Sequence, residues 1–212
     1  MRLLLAAALL AAPAAAEHRH DGEAETVVSA AKGAFVFTAQ HAHAGAGVQL
    51  IVRRLSPDGG EYWRDAYGRN QGEEAAALGI AADGGVVLAG ARRRGCFAVR
   101  WDAQGRVRWE ATTDASAQCR PAAVVSDAAG SSYMLATVAD GRGGFEPVVV
   151  AFDARGDQRW RFRYPAPDTA YARDLILDPR GDRVHGFVLR RVGSEFVEEF
   201  YSLDHDGRRL DR

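Results

Sequence analysis

The chain has 212 residues, of which 27 are basic and 28 are acidic, and its formal net charge at pH 7 is −1. This balance argues against generic nucleic-acid binding, which requires a clustered excess of basic side chains. The length suffices for one sizeable core or a repeat array, and no segment after the N-terminus is apolar enough to form a transmembrane span.

The first predicted element is a signal peptide over residues 1–16. Arg2 precedes an apolar run over residues 3–12, and the small residues 14–16 form a cleavage site before Glu17. The run is much shorter than the roughly 20 residues that a bilayer-spanning helix needs. We therefore expect a protein of the periplasm or a secreted protein, with residues 17–212 as its mature form.

Two turn patterns recur through the rest of the chain with a period of roughly 50 residues, which is the signature of a repeat fold. Asp side chains that bond to a turn backbone, and glycines that supply a positive φ, are typical of tight hairpin turns. In the first pattern a tryptophan follows the glycine, except that Leu210 replaces it in the last repeat. The residues of this pattern are Gly60 with Trp63, Gly105 with Trp109, Gly156 with Trp160, and Gly207. The glycines of the second pattern are Gly33, Gly85, Gly130 and Gly181.

Short runs of β-branched and aromatic residues flank these turns, as at residues 35–37 and 148–150, and they predict strands. Residues 73–78 favour a helix by propensity, but the aligned segments of later repeats do not, so a strand is predicted there too. Each repeat is thus two hairpins, and the fold is predicted to be all-β. Four repeats over residues 24–68, 69–115, 116–167 and 168–212 form a β-propeller domain, either as a four-bladed ring, as an open array, or as a larger ring completed by a homodimer.

The repeated motif resembles that of bacterial β-propeller repeat proteins of the SBBP kind over nearly the whole mature chain. It is also similar, more weakly, to the tryptophan-docking blades of PQQ-dependent dehydrogenases, in which Asp, Gly and Trp have the spacing of Asp153, Gly156 and Trp160. Gln104 and Arg155 depart from the threonine usual in that motif, and a catalytic ring needs about twice as many blades. The resemblance implies a propeller, and no cofactor is expected. Trp63, Trp109 and Trp160 are interpreted as packing between blades.

The long connections between strands carry the candidate binding residues. If strands alternate in direction, the short turns share one face and the longer connections share the other. Irregular loops on a rigid scaffold often bind ligands, and guanidinium groups suit an anionic glycan, a phosphate or a carboxylate. The alternative is a solvated arginine surface balanced by nearby carboxylates. The candidates are Arg92, Arg93, Arg94, Arg120, Arg142, Tyr171, Arg190 and Arg191.

The two cysteines, Cys96 and Cys119, lie at the same predicted face. An exported protein with an even number of cysteines favours a disulfide between them. The alternative is two thiols too far apart to be joined.

Four histidines form a hypothetical copper or zinc site. His18 and His20 lie near the predicted mature N-terminus, and His41 and His43 are alternate residues of an extended segment, which places them on one side. The alternative is four exposed polar residues in a terminus and a glycine-rich loop.

The sequence contains no G-x-S-x-G, H-E-x-x-H or P-loop motif and no recognisable Cys/His pair of a nucleophilic enzyme. It therefore favours a non-enzymatic binding protein whose partner is another protein, an anionic glycan or a small anion. The alternatives are an extracytoplasmic hydrolase or lyase on a propeller scaffold, and a structural or assembly protein.

Overall fold

The computed structural model describes residues 27–33, 35–44, 47–68, 72–113, 118–166 and 168–210. The predicted signal peptide and the candidates His18 and His20 lie outside these residues. The described residues form strands and turns, and they contain no helix with the length and apolar character that a bilayer crossing requires.

The strands form four antiparallel sheets, blades 1 to 4, and in every sheet the strands follow one another in chain order. Blade 1 contains β1 (Val27–Lys32), β2 (Phe35–Ala44), β3 (Gly47–Leu55) and β4 (Glu61–Tyr67). Blade 2 contains β5 (Glu74–Ile80), β6 (Val86–Ala91), β7 (Cys96–Trp101) and β8 (Val107–Thr112). Blade 3 contains β9 (Cys119–Ser126), β10 (Ser132–Ala139), β11 (Phe145–Phe152) and β12 (Gln158–Arg163). Blade 4 contains β13 (Ala170–Leu177), β14 (Arg183–Val192) and β15 (Glu195–Asp204).

The predicted all-β propeller architecture with four blades is confirmed, and the helix-prone residues at the start of blade 2 form strand β5 as predicted. Blade 4 differs from the expected four strands. Its fourth strand is reduced to a single bridge between Leu203 and Arg209, and residues 211 and 212 lie outside the described part of the chain.

Seven short turns close with the same hydrogen bond, in which the amide of a glycine donates to the carbonyl three residues earlier. This bond corrects the prediction in the first two blades, where the glycine with a positive φ is Gly59 (89°) or Gly84 (79°) rather than Gly60 or Gly85. In these two turns the accepting carbonyls belong to Ser56 and Ala81, so the glycine three residues later is Gly59 or Gly84. The register of the turn therefore follows its first residue and not the Asp that comes later.

Each tryptophan of the repeat lies against a turn glycine of the next blade. A Cβ added to Gly156 would lie 2.7 Å from the ring of Trp109, so only glycine allows this approach. The equivalent contacts join Trp63 to Gly105 and Trp160 to Gly207. The indole nitrogen of Trp63 also donates a hydrogen bond of 3.1 Å to the carbonyl of Ala103, and that of Trp160 donates one of 2.7 Å to the carbonyl of His205.

Three hydrophobic cores hold the four blades together, one between each pair of successive blades. In β6, Val86 and Leu88 face blade 1, whereas Val87 and Ala89 face blade 3. The inner blades are therefore apolar on both sides, which explains why their middle strands β6, β7, β10 and β11 are nearly continuous buried runs rather than alternating ones.

Strand direction gives the molecule two different ends. One end, the turn face, contains the turn at Gly33 after β1 and the short turns at residues 56–60, 81–85, 102–106, 127–131, 153–157, 178–182 and 204–208. The other end, the loop face, consists of the loops at residues 92–95, 140–144 and 193–194 and of the connections between blades.

Candidate functional site

A cavity of about 450 Å³ opens on the loop face where blades 2, 3 and 4 meet. Ligand sites commonly have volumes of about 300–1,000 Å³, so this cavity has room for a small molecule or one unit of a larger one. Of the eight predicted ligand-binding residues, Arg92, Arg93, Arg120 and Tyr171 line it. Its lining also includes Glu74, Gln118, Cys119, Thr137 and Phe145.

Arg92 belongs to the scaffold of this site. Its guanidinium donates hydrogen bonds of 2.6 Å to Glu110 and 2.5 Å to the hydroxyl of Tyr67, and it lies 4.7 Å from the ring centre of Phe97. Burial alone would lower the pKa of Arg92, but the hydrogen bond to Glu110 and the surrounding negative charge outweigh burial and raise it. Arg92 is thus a charged side chain whose terminal guanidinium nitrogens are used within blade 2 and β4, while its buried Nε has no hydrogen-bond partner among the described residues.

Arg93 and Arg120 differ from Arg92 because both are exposed and neither forms an ion pair with any described residue. Arg93 lies in the loop between β6 and β7, and Arg120 is the second residue of β9, so two different blades place them at the cavity. Glu74 is the carboxylate among the described lining residues. The cavity therefore presents two unpaired guanidinium groups against one carboxylate, and its mouth favours an anion.

An aromatic wall forms another part of the cavity lining. The rings of Phe145 and Tyr171 are 5.6 Å apart, and the ring of Phe196 is 5.7 Å from that of Tyr171. The backbone amide of Ala172 donates a 2.9 Å hydrogen bond to the hydroxyl of Thr137, which fixes β13 against blade 3 beside this wall. The site thus combines cationic donors with an apolar surface of aromatic rings that are tilted against one another.

The predicted disulfide between Cys96 and Cys119 is confirmed, with the two Cα atoms 5.4 Å apart. It joins the first residue of β7 to the first residue of β9, and both cysteines are buried. Cys96 follows the loop that carries Arg93, and Cys119 directly precedes Arg120. The disulfide therefore ties together the two segments that carry the unpaired arginines.

The other four predicted binding residues lie outside the cavity. Arg94 and Arg142 are exposed in loops. Arg190 donates a 2.6 Å hydrogen bond to Glu199, which also accepts one from Tyr164, and these two bonds lower the pKa of the Glu199 carboxyl. Arg191 donates a 2.9 Å hydrogen bond to the carbonyl of Gly193 in its own hairpin.

The metal hypothesis receives no support from the described residues, which contain no group of three His, Cys, Asp or Glu side chains able to hold an ion. His41 is buried on the side of β2 that faces blade 2, and its Nε2 has no hydrogen-bond partner among the described residues. The side chain of His43 lies outside the described residues.

Sequence reasoning missed Glu74, Gln118, Thr137 and Phe145. Phe145 offered a signal, because it is an aromatic residue directly after a glycine-rich loop of the binding face. Glu74 and Thr137 lie within strands, and the cavity includes them only because three blades converge there.

No model of a known protein family matches the chain, and no curated protein sequence matches it. Solved structures do. A protein of unknown function from Bacteroides caccae is 16% identical, with a TM-score of 0.50 over 91% of this chain and 61% of that one. The β-propeller domain of the Trilobed protease from Pyrococcus furiosus, described as having an open velcro topology, is 14% identical, with a TM-score of 0.53 over 89% and 56%.

A subtype N10 neuraminidase-like protein of A/little yellow-shouldered bat/Guatemala/060/2010 is 9% identical, with a TM-score of 0.54 over 92% of this chain and 60% of that one. At these identities the likeness shows the β-propeller fold alone. The chain spans about three fifths of the length of these proteins.

Proposed function

We propose that this chain is an exported, non-enzymatic binding protein that recognises a small anionic group, such as the carboxylate of an acidic glycan, in the cavity of the loop face. The observation that carries the proposal is the convergence of Arg93 and Arg120 with the rings of Phe145 and Tyr171 around one cavity.

The chemistry of the lining supports this ligand class. Guanidinium groups donate paired hydrogen bonds to planar anions such as carboxylates, and these charge-assisted bonds are stronger than neutral ones. A ring or sugar attached to the anion has an apolar face, and the aromatic wall offers a matching surface. A neutral sugar would leave both guanidinium groups without a charged partner.

The disulfide supports both the site and the compartment. It holds the segments of Arg93 and Arg120 in a fixed relation before any ligand arrives, and such preorganisation reduces the entropic cost of binding. Disulfides persist in oxidising compartments, which agrees with the predicted export to the periplasm or beyond.

Isothermal titration of the oxidised protein with glucuronate, inorganic phosphate and glucose tests the proposal. We expect glucuronate to bind and glucose not to bind. The double variant Arg93→Gln, Arg120→Gln should weaken glucuronate binding by at least about tenfold, because each charge-assisted hydrogen bond contributes about 1.5–3 kcal/mol. Binding should also weaken as salt is added, since ions screen exposed charges.

Arg180→Gln is the control, because Arg180 is also an exposed arginine, in a turn of the opposite face. It should bind glucuronate as the wild type does. If Arg180→Gln weakens glucuronate binding equally, the loss reflects the overall charge of the protein and not the cavity. If glucose binds as tightly as glucuronate, the site does not select an anion.

A further inference from the structure

The cavity of the loop face contains one charged group that recognition of an anion does not use. Glu74, the first residue of β5, is exposed in the lining and forms no ion pair with any described residue. Its neighbour Glu73 differs, because it is buried and its carboxylate lies 3.9 Å from Nε of Arg92. Glu73 thus belongs to the scaffold, whereas the carboxylate of Glu74 remains available to a ligand.

This carboxylate lies beside both of the segments that carry the unpaired arginines. Ala91, the register partner of Glu74, is the last residue of β6 and comes two residues before Arg93. Towards blade 3, β5 packs against β9, which is the strand of Arg120. Neither guanidinium, however, lies within 4.0 Å of an oxygen of Glu74. Three segments of the chain therefore bring one negative and two positive groups to one cavity and hold them apart.

A ligand with only a negative charge does not satisfy this arrangement. Its attraction to Arg93 and Arg120 is opposed by the carboxylate of Glu74, because like charges repel each other more strongly where a ligand has displaced water. Binding sites commonly select one ligand by repelling another in this way. A ligand that also has a positive group gives every charge in the lining an opposite partner.

The aromatic wall favours the same positive group. Aromatic rings attract a cation that lies within about 6 Å of the ring centre. Phe97 already has such a partner, because the guanidinium of Arg92 lies 4.7 Å from its centre. Within the described part of the chain, no arginine or lysine lies over the ring of Phe145 or Tyr171. The cavity therefore offers a cation both an unpaired carboxylate and two aromatic rings.

We propose that the ligand of this cavity is a zwitterion, namely an acidic sugar that also carries a protonated amine. This assignment rests on the proposed function, because it concerns the same site. Arg93 and Arg120 bind the carboxylate of the sugar, and Glu74 accepts a hydrogen bond from its ammonium group. Because these side chains are held apart, the two charges belong on separate carbons of the sugar ring. The cavity of about 450 Å³ has room for one such sugar unit.

Isothermal titration of the oxidised protein at about pH 6, where amines are protonated, tests this ligand class with three related sugars. They are glucuronate, glucosaminuronate, in which an amine replaces one hydroxyl, and N-acetylated glucosaminuronate, which has no positive charge. We expect glucosaminuronate to bind about three- to fivefold more tightly than glucuronate, as an exposed ion pair allows. N-acetylation should abolish this gain.

Glu74→Gln should change the two affinities in opposite directions. Glucosaminuronate should bind about three- to fivefold more weakly than to the wild type, because its ammonium group loses its partner. Glucuronate should bind more tightly, because the repelling carboxylate is gone. A folding defect weakens both ligands, so opposite shifts exclude it. Glu195→Gln is the matched control, because Glu195 is an exposed glutamate beside the 193–194 loop of the same face and is not part of the cavity lining.

The outcomes separate this ligand class from the proposed function. If glucuronate binds and glucosaminuronate binds no more tightly, the zwitterion is overturned and anion recognition stands. The zwitterion is also overturned if Glu74→Gln weakens both sugars equally, or if Glu195→Gln has the same effect as Glu74→Gln. If none of the three sugars binds, the proposed function fails and this ligand class fails with it.

Discussion

The turn face and the loop face are built from the same strands, yet their chemistry differs. On the turn face seven short turns have the same hydrogen bond, and most of its carboxylates accept amides of their own turn, as Asp153 does from Arg155 and Asp157. On the loop face the connections differ from blade to blade, and Arg93 and Arg120 have no ion-pair partner among the described residues.

This difference separates the residues that build the fold from those that offer a ligand site. A side chain whose hydrogen bonds are satisfied locally has few free donors or acceptors for a ligand. The turn face repeats because each blade must dock on the next in the same way. The loop face is free to vary, and the disulfide occurs there once rather than in every repeat.

The strongest test of this comparison is to remove a docking indole. Trp109 is 6% exposed and packs against Gly156 and Phe152. We expect Trp109→Ala to lower the free energy of unfolding by about 3–5 kcal/mol, as is typical of a buried aromatic residue. Its indole nitrogen has no hydrogen-bond partner among the described residues, so the loss comes from packing. Urea denaturation measures it.

Val107→Ala is the control for Trp109→Ala, since Val107 is on the same strand but half exposed, and it should change stability by less than about 0.5 kcal/mol. At temperatures where Trp109→Ala is folded, its affinity for glucuronate should equal that of the wild type. A large loss of affinity would show that the two faces do not act separately.

Removal of the disulfide should affect stability and binding together, because it belongs to the loop face. The cysteines are 23 residues apart, and closing a loop of that length contributes about 3 kcal/mol by the chain-entropy estimate. The double variant Cys96→Ala, Cys119→Ala should therefore unfold at lower urea concentration and also bind glucuronate more weakly. If affinity is unchanged while stability falls, the disulfide acts on the fold alone.

Much of the turn face could be predicted from the sequence, because its residues repeat. Aspartates, glycines and tryptophans that recur at a constant period predict the hairpins and the contact between blades from the sequence alone. The one-residue error at Gly60 arose because Ser56, and not Asp58, is the first residue of that turn.

The candidate site was predictable only in part. Local sequence identified arginines in loops, but it could not separate Arg92, whose donors bind Glu110 and Tyr67, from Arg93 next to it. Those partners are 18 and 25 residues away in the chain. Which arginines are unpaired, and which aromatic rings approach them, depends on the convergence of three blades, and no local pattern records that convergence.

The smallest expected effect concerns acid stability on the turn face. Backbone hydrogen bonds from Asp157 and Arg155 hold the pKa of Asp153 below its ordinary value of 3.8. A carboxyl whose pKa is lower in the folded state stabilises the fold above about pH 4, and this contribution is lost as the pH falls through the folded-state pKa. In Asp153→Asn the amide oxygen still accepts the turn hydrogen bonds but does not titrate. The melting temperature of this variant should therefore fall less steeply than that of the wild type below about pH 4.

Asp157→Asn is the matched control, because it removes a carboxylate from the same turn whose recorded side-chain contact is an exposed ion pair with Arg155 at 3.8 Å. Its acid profile should follow that of the wild type, since a surface ion pair contributes little. Both variants could make the melting temperature depend equally less on pH. In that case the acid response reflects the net charge of the turn face, and the local hydrogen bonds of its aspartates do not distinguish the two faces.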